Sequence, residues 1–252
     1  MTRRLDQWLA SLGYASRREA AAWCRAGRVT RADGSPLERP DAKIAAEDLR
    51  IDGQPLDHPD GVFVVLHKPV GYVCSHDAGE GPTVYDLLPP RWRARQPAPA
   101  TIGRLDKDTS GVIVVTDLGQ WIHRLSSPKH HVAKCYLATL DRPADAAMVG
   151  LFASGTLVLR GEPAPCRPAR LEPGGGATAR VVLTEGRYHQ ARRMFAACGR
   201  HVLALHREAF GPYRADDLAP GQWREAAPPG HEGAAMPAVP PPTSVSPPIP
   251  PP

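Results

Sequence analysis

A polar turn with two acidic residues, bracketed by two glycines, stands directly before an apolar segment of the chain. The turn runs from Gly103 to Gly111 and contains Asp106 and Asp108, and the apolar segment is Val112–Thr116. A turn that leads into a buried strand can hold a carboxylate at the mouth of a cleft on a rigid support. Asp106 and Asp108 are therefore candidates for a nucleophile or a general base, although an ordinary Asp-rich turn fits the same pattern.

A second segment, residues 185–194, is rich in cations and leads from a predicted strand into a predicted helix. From Arg187 to Arg207 the chain has five arginines and three histidines and no acidic residue. Such a cluster can bind a polyanion or accompany a buried carboxylate, and arginines on a solvated helix face are the plain alternative. Zinc binding by the three histidines is disfavoured, because no carboxylate or thiol completes the ligand set. We therefore expect no metal.

Two shorter segments place a basic residue at the end of a strand. Lys134 and Tyr136 open one predicted strand, and Lys68 follows another. Taken alone, a Tyr in a strand is usually a core residue, and the Lys-Pro step at Lys68 is typical of a turn. These segments point to a site only if the fold brings them together.

Hydrophobic patterns divide residues 59–226 into strands and helices. The predicted strands are Val62–Leu66, Val112–Thr116, Tyr136–Leu140, Ala179–Thr184 and Val202–Leu205. The predicted helices are Gln120–Leu125, Ala144–Ala153 and His189–Cys198. The segment Pro89–Pro99, which contains three arginines, is predicted to be a basic loop. The chain has no glycine signature for binding nucleotide phosphates, which disfavours chemistry driven by a nucleotide.

Residues 1–58 form a small basic module with its own pattern. Leu5, Trp8, Leu9 and Leu12 predict a helix that ends at Gly13. A capping box at 16–19 predicts a second helix, and a small sheet follows. The first 31 residues contain seven arginines, which are Arg3, Arg4, Arg17, Arg18, Arg25, Arg28 and Arg31. Most of them flank the helix ends, which suits docking onto phosphates, and a solvated helix face is the alternative.

Composition narrows the class of protein. The chain has 252 residues, 42% of them hydrophobic, and a net charge of +5, which fits one large or two ordinary globular domains. Its apolar runs are too short to span a bilayer, and its N-terminus lacks a signal peptide. Five scattered cysteines without a Cys-x-x-Cys pair indicate reduced thiols in the cytoplasm. Proline fills 11 of the last 25 positions, so residues 227–252 are predicted to be a disordered tail.

Taken in their order along the chain, the four segments resemble those of the pseudouridine synthases that act on ribosomal RNA. The run from Gly103 to Gly111 matches the most specific motif of the family, and Lys134 with Tyr136 matches its Lys-x-Tyr. Residues 1–58 are similar to an S4 RNA-binding domain. Glu185–Gln190 and Leu205–Glu208 are most similar to the branch that modifies small-subunit RNA. Two departures are His67, where the family usually has Asn, and Arg192, where that branch has Lys.

The resemblance implies an α+β fold in two domains. A small α/β S4-type RNA-binding domain at 1–58 precedes a catalytic domain at 59–226 with a mixed, largely antiparallel sheet and flanking helices. It also implies an enzyme that isomerises uridine to pseudouridine without a cofactor or metal, and a monomer is the default expectation because the sequence leaves the oligomeric state open. The implied substrate is bacterial 16S ribosomal RNA in a small-subunit assembly intermediate, at uridine 516 of the 530-loop region.

The resemblance further implies a role for each site residue. Asp106 is the catalytic carboxylate, Tyr136 is the aromatic residue that packs on the target base, and Arg192 is the basic partner of Asp106. Asp108 has no assigned role. The residues expected to bind RNA are Arg104, Arg3, Arg4, Arg17, Arg18, Arg28, Lys68, Arg187, His189, Gln190 and Arg193. The target uridine must leave its stack to reach Asp106.

Two other functions share part of this pattern. A relative that modifies 23S ribosomal RNA would have the same S4-like module and the same Asp motif. A non-catalytic RNA-binding protein of ribosome assembly could keep the fold alone. The joint presence of Asp106, Tyr136 and Arg192 favours an enzyme, because nothing structural requires all three together.

Overall fold

An N-terminal module and a larger sheet domain make up residues 2–230, the part of the chain that this computed structural model describes. The predicted tail at 227–252 lies outside the described residues from 231 onward. The module contains the elements β1 Thr2–Arg4, α1 Leu5–Ser11, α2 Ala20–Arg25, β2 Val29–Arg31, β3 Lys43–Ala45, β4 Leu49–Ile51 and β5 Gln54–Pro55. A single turn of 3₁₀ helix, Ala46–Asp48, connects β3 to β4.

The helical spacing of apolar residues builds the core of the module. Leu5, Trp8 and Leu9 are buried on one face of α1, and the Trp8 indole donates a hydrogen bond to the Ile44 carbonyl at 3.0 Å. The predicted pair of helices is confirmed, but a strand precedes them, because β1 pairs antiparallel with β3. A three-residue polar strand gives no alternation that could have indicated it.

Nine strands form the central sheet of the second domain. Its strands are β6 Phe63–Lys68, β7 Ala100–Thr101, β8 Thr109–Thr116, β9 Lys134–Leu140, β10 Arg170–Pro173, β11 Thr178–Leu183, β12 Val202–Phe210, β13 Tyr213–Arg214 and β14 Trp223–Glu225. The main order is β10-β11-β9-β12-β8-β6-β14, with β13 on β12 and β7 on β8. β12 and β8 run parallel and the other paired strands antiparallel, which confirms the predicted mixed sheet.

Three helices flank this sheet on its two faces: α3 Gly119–Ser126, α4 Ala146–Ser154 and α5 Gln190–Ala197. Phe152 of α4 and Phe195 of α5 pack on one face, with ring centres 5.4 Å apart. Leu125 of α3 packs on the opposite face. All five predicted strands and all three predicted helices of this domain are present. Among residues 2–230, no helix has the length and apolar character needed to cross a bilayer.

The segment predicted to be a basic loop instead joins the two domains. It contains the 3₁₀ helix Pro90–Ala94. Arg91 lies 4.1 Å above the ring of Tyr14, donates a hydrogen bond to the Leu12 carbonyl at 3.0 Å and pairs with Asp57. These contacts hold the partly buried Arg91 side chain against the N-terminal module, which explains why a basic segment is not an open loop.

Arg95 completes this connection from the same segment. It is buried and pairs with Asp117 at 2.7 Å, while it also donates hydrogen bonds to the carbonyls of Asp57 and His58. We call the group of Tyr14, Asp57, Arg91, Arg95 and Asp117 the interdomain joint.

Candidate active site

A cleft of about 700 Å³ opens on the face of the central sheet that carries α4 and α5. The turn that precedes β8 forms one wall, and residues 184–192 form the wall opposite. Side chains of β9 and β12 line the floor between them. Three of the four segments singled out in the sequence therefore converge on the cleft, and the fourth, at Lys68, contacts the turn that forms one wall.

Asp106 lies on the wall formed by the turn. Its backbone carbonyl accepts a hydrogen bond from the Thr109 amide at 3.0 Å, and Gly103 adopts a φ of +71° before it. The side chain of Asp106 is 30% exposed, and its Oδ1 lies 3.2 Å from Nε2 of His189 on the opposite wall. The carboxylate is thus held at the mouth of the cleft and is open to a ligand.

Lys68 supports this turn from beneath. It is fully buried, and its ammonium donates hydrogen bonds to the carbonyls of Thr109 at 2.7 Å and Pro69 at 3.1 Å. Burial lowers the pKa of the Lys68 side chain. The expectation that Lys68 binds RNA is therefore wrong, because its ammonium group donates its hydrogen bonds to backbone carbonyls and is not accessible to a phosphate.

Gly111 allows β8 and β12 to approach closely below the cleft. It has a φ of +115°, and a Cβ atom added to it would lie 2.2 Å from the Arg207 carbonyl oxygen. In the parallel register of these strands, Gly111 is the partner of Arg207. The second glycine of the motif is thus required by packing between strands, independently of any ligand.

Tyr136 and Lys134 extend from the same face of β9 into the cleft, since alternate residues of a strand share a face. Tyr136 is buried and pairs in register with Arg207 of β12. Lys134 donates a hydrogen bond to the Val132 carbonyl at 3.0 Å. Burial, together with the nearby charge of Arg207, lowers the pKa of Lys134 to about 8.

Arg192 lines the cleft, but its carboxylate partner differs from the expected one. Its guanidinium pairs with Asp108 at 2.8 Å and donates to the Val202 carbonyl at 3.1 Å. The predicted pair of Arg192 with Asp106 is wrong in this structure, because Asp108 meets the guanidinium and Asp106 faces His189. Asp108, which had no expected role, thus ties α5 to the turn that carries Asp106.

The segment Glu185–Gln190 is held in place by its own polar side chains. Gln190 is buried, accepts a hydrogen bond from the Arg187 amide at 2.9 Å and donates one to Glu185 at 2.6 Å. The expectation that Gln190 binds RNA is wrong, because both ends of its amide are satisfied internally. Arg187 likewise donates to the Ala164 carbonyl at 2.7 Å.

Arg193 is anchored in the same way, while its neighbour His189 faces the cleft. Arg193 pairs with Glu162 at 2.9 Å and donates to the Arg160 carbonyl at 2.7 Å. The ring of Tyr188 stacks on that of His189 with centres 3.9 Å apart, and Tyr188 is 72% exposed. The wall therefore presents an aromatic pair to solvent and keeps its arginines within the protein.

A family model described as RNA pseudouridylate synthase matches residues 62–197, more than half of the chain, including the turn of Asp106, β9 and α5. The chain belongs to the RNA pseudouridine synthase family. An S4 domain model matches residues 3–48 of this pseudouridine synthase.

Relatives of this pseudouridine synthase align with most of its chain. Ribosomal small subunit pseudouridine synthase A of Escherichia coli strain K12 is 42% identical over 226 residues, which cover 88% of this chain and 95% of the relative. The protein of the same name from Haemophilus influenzae is 38% identical over 88% of this chain and 94% of its own. A crystal structure of a pseudouridylate synthase superposes with a TM-score of 0.62 at 36% identity, covering 89% and 96% of the two chains.

The remaining RNA-binding predictions for this pseudouridine synthase concern arginines at the surface. Arg17, Arg18 and Arg104 are exposed and form no ion pair with any residue in 2–230. Arg28 pairs with Asp52 at 2.6 Å, and Arg4 pairs with its neighbour Asp6 at 2.9 Å. The first three are therefore the cations most available to a polyanion, and Arg104 is the one at the cleft.

Arg3 of the same module lies with its guanidinium 4.7 Å from the centre of the Trp8 ring. It lies on β1 and is partly exposed, and its contact with RNA stays a prediction for this pseudouridine synthase.

The sequence predicted no role in the cleft of this pseudouridine synthase for three of the residues that line it. They are Lys134, Tyr188 and Arg207. Alternation along β9 would have placed Lys134 beside Tyr136. No comparable signal was available for Arg207, since its burial depends on the pairing of β12 with both β8 and β9. Across residues 2–230, no group of three or more His, Cys, Asp or Glu side chains could hold a metal ion.

Proposed function

We propose that this protein isomerises uridine 516, in the 530-loop region of bacterial 16S ribosomal RNA, to pseudouridine. The observation that carries the proposal is the cleft, which is lined both by Asp106, open to a ligand, and by the buried ring of Tyr136. The curated relatives, named for the ribosomal small subunit, support that class of RNA. The substrate we propose is a small-subunit assembly intermediate, and the enzyme acts as a monomer in the cytoplasm.

The reaction is an isomerisation, so its atoms balance within the nucleotide. The N1–C1′ bond of uridine breaks, the base turns, and a C5–C1′ bond forms. A proton leaves C5 and a proton is taken up at N1. Asp106 is the carboxylate that assists this exchange at the sugar or the base. Because it lies on a turn held by Lys68 and Thr109, it needs little reorganisation when the nucleotide arrives.

Tyr136 supplies the surface on which the everted base rests. A buried aromatic ring on a rigid strand gives a flat apolar face and a hydroxyl group. The cleft, at about 700 Å³, lies within the range of sites that enclose a small molecule. Eversion costs a few kcal/mol, and least in an irregular loop. That cost favours a loop of ribosomal RNA over a regular duplex.

Before the base can approach Asp106, the contact of Asp106 with His189 must open. His189 has a φ of +46° at the start of α5, and its ring is shared between Asp106 and Tyr188. In our proposal His189 and Tyr188 move together and receive the RNA strand at the rim of the cleft. Arg104 then lies beside the everted strand, and Arg192 keeps α5 fixed to the turn through Asp108.

The S4-type module supplies phosphate contacts away from the cleft. Arg17 and Arg18 flank the start of α2, and Arg3, Arg4 and Arg28 lie on the same module. Contacts of this type position a protein on RNA without reading its sequence. They add binding free energy that offsets the cost of eversion.

The test pairs a cellular and an in vitro measurement. Pseudouridine mapping of total ribosomal RNA, from cells with and without this protein, should lose one modification in the 530-loop region of 16S RNA. Loss of a 23S modification instead would refute the proposed substrate. In vitro, Asp106→Asn should abolish turnover of small-subunit RNA while RNA affinity changes less than about threefold.

Asp60→Asn provides the matched control, because Asp60 is an exposed carboxylate of the segment between the domains. It should turn over RNA at the wild-type rate. Appreciable turnover by Asp106→Asn, at a few per cent of wild type or more, would show that Asp106 is not the catalytic carboxylate.

A further inference from the structure

Three buried polar atoms of residues 2–230 have no hydrogen-bond partner, and all three belong to residues that line the cleft. They are Oγ1 of Thr109, Nε of Arg192 and Nη2 of Arg207. Buried polar atoms are nearly always hydrogen bonded, so a cluster of exceptions calls for an explanation. Two of the three are guanidinium nitrogens, which can only donate. These two guanidinium nitrogens of the cleft therefore lack a hydrogen-bond acceptor.

Arg207 is the more deeply buried of the two arginines. It is 1% exposed, and its Nε donates to the Val112 carbonyl at 2.9 Å. None of the carboxylates within residues 2–230 forms an ion pair with it. Arg95, which is buried to a similar extent, has Asp117 at 2.7 Å. Burying a permanent charge without a counter-charge is costly, so Arg207 is held ready for an anion that the protein itself does not provide.

The strands place this cation beside the proposed base-binding residue. Arg207 is the register partner of Tyr136 on β9 and of Gly111 on β8. Directly paired residues of antiparallel strands have their side chains next to each other on one face. A base resting on Tyr136 therefore has the guanidinium of Arg207 at its edge.

We propose that Arg207 is a catalytic residue that stabilises the uracil anion released when the N1–C1′ bond breaks. This inference rests on the proposed function. The electron pair of that bond stays on N1, and the ring spreads the charge to the carbonyl oxygens O2 and O4. Nη2 of Arg207 donates to one of these oxygens and transfers no proton. The anion then attacks C1′ through C5, the C5 proton leaves and N1 takes up a proton.

The experiment varies the stability of the anion. A fluorine at C5 withdraws electrons, so a 5-fluorouracil anion leaves more readily and depends less on a stabilising cation. Wild type and Arg207→Gln are compared on small-subunit RNA with uridine or 5-fluorouridine at the target. The readout is the single-turnover rate at which the N-linked target nucleoside disappears. Arg207→Gln should slow uridine by about 10²–10³-fold, the usual effect of one lost oxyanion donor. It should slow 5-fluorouridine at least ten times less.

Arg95→Gln is the matched control, because it also removes a buried guanidinium but lies in the interdomain joint. It should lower the melting temperature and change both rates by the same factor. Arg207→Lys is the second variant, for the case that Arg207→Gln does not fold. It keeps the charge on a shorter donor, so its loss should be smaller but should again be smaller for 5-fluorouridine.

Equal slowing of both substrates by the folded Arg207 variants would show that Arg207 is only structural, and the proposed function would stand. A wild-type protein that converts neither substrate would overturn the proposed function and this inference with it.

Discussion

Replacing Gly111 by alanine tests whether the central strands must approach as closely as described. The new Cβ would lie 2.2 Å from the carbonyl oxygen and 2.6 Å from the amide nitrogen of Arg207. Both atoms are backbone, so no side chain can turn aside. The φ of +115° adds strain of about 1–3 kcal/mol for a residue with a side chain, and overpacking adds about 1–3 kcal/mol. We expect a loss near 4 kcal/mol in the free energy of unfolding.

Gly103→Ala separates the two contributions, because Gly103 has a φ of +71° but no atom within 4 Å of an added Cβ. It should lose only the strain of a left-handed backbone, about 1–2 kcal/mol. For a protein of this size 1 kcal/mol shifts the melting temperature by about 2–4 °C. Gly111→Ala should therefore melt about 8–16 °C below wild type, and Gly103→Ala about 2–8 °C below.

Thermal melts followed by circular dichroism, with urea titrations as a second measurement, compare the two variants. If both melted at the same temperature, the inferred contact of β8 with the Arg207 backbone would be incorrect.

Two further predictions concern charge. The pKa of Lys134 is lowered from 10.5 to about 8, so between pH 8 and 10.5 the folded chain binds fewer protons than the unfolded chain. Lys134→Met should therefore have a higher free energy of unfolding than wild type below pH 8. This difference in stability should shrink as the pH rises to 10.5. Urea unfolding of both proteins across that range measures it, and a gap that stays constant would contradict the assignment. Replacing Arg17 and Arg18 by Gln should reduce the slope of log affinity for RNA against log salt by about 1.4, near 0.7 for each lost contact to a single strand. Arg39→Gln, whose guanidinium already pairs with Asp41 at 2.8 Å, is the control and should change the slope by less than half of one such contact.

The parts of the fold that sequence could predict are those with dense local signals. Runs of Val and Leu marked the central strands, and the glycine-bracketed Asp turn marked the wall of the cleft. Short strands such as β1, β7 and β13 gave no such signal, because two or three residues show no period. They form only when a longer neighbour offers free backbone groups.

Side-chain partners in the site were harder to predict, because they depend on geometry beyond the segment. From the sequence, Asp106 and Asp108 are equally plausible partners for Arg192, because they lie only two residues apart. The conformation of the turn decides which carboxylate faces Arg192. Lys68 was expected to bind RNA. The open carbonyls of the turn above it instead provide a buried place for an ammonium group.

The interdomain joint fixes the distance between the N-terminal module and the cleft. Because Arg91 and Arg95 bond to side chains and carbonyls of both domains, the distance from Arg17 and Arg18 to the carboxylate of Asp106 is set by the fold. If the RNA binds as we propose, its target nucleotide must lie at that distance from the phosphates that the module contacts. Selection among many chemically identical uridines can in this way come from length and shape, without a side chain that reads the neighbouring bases.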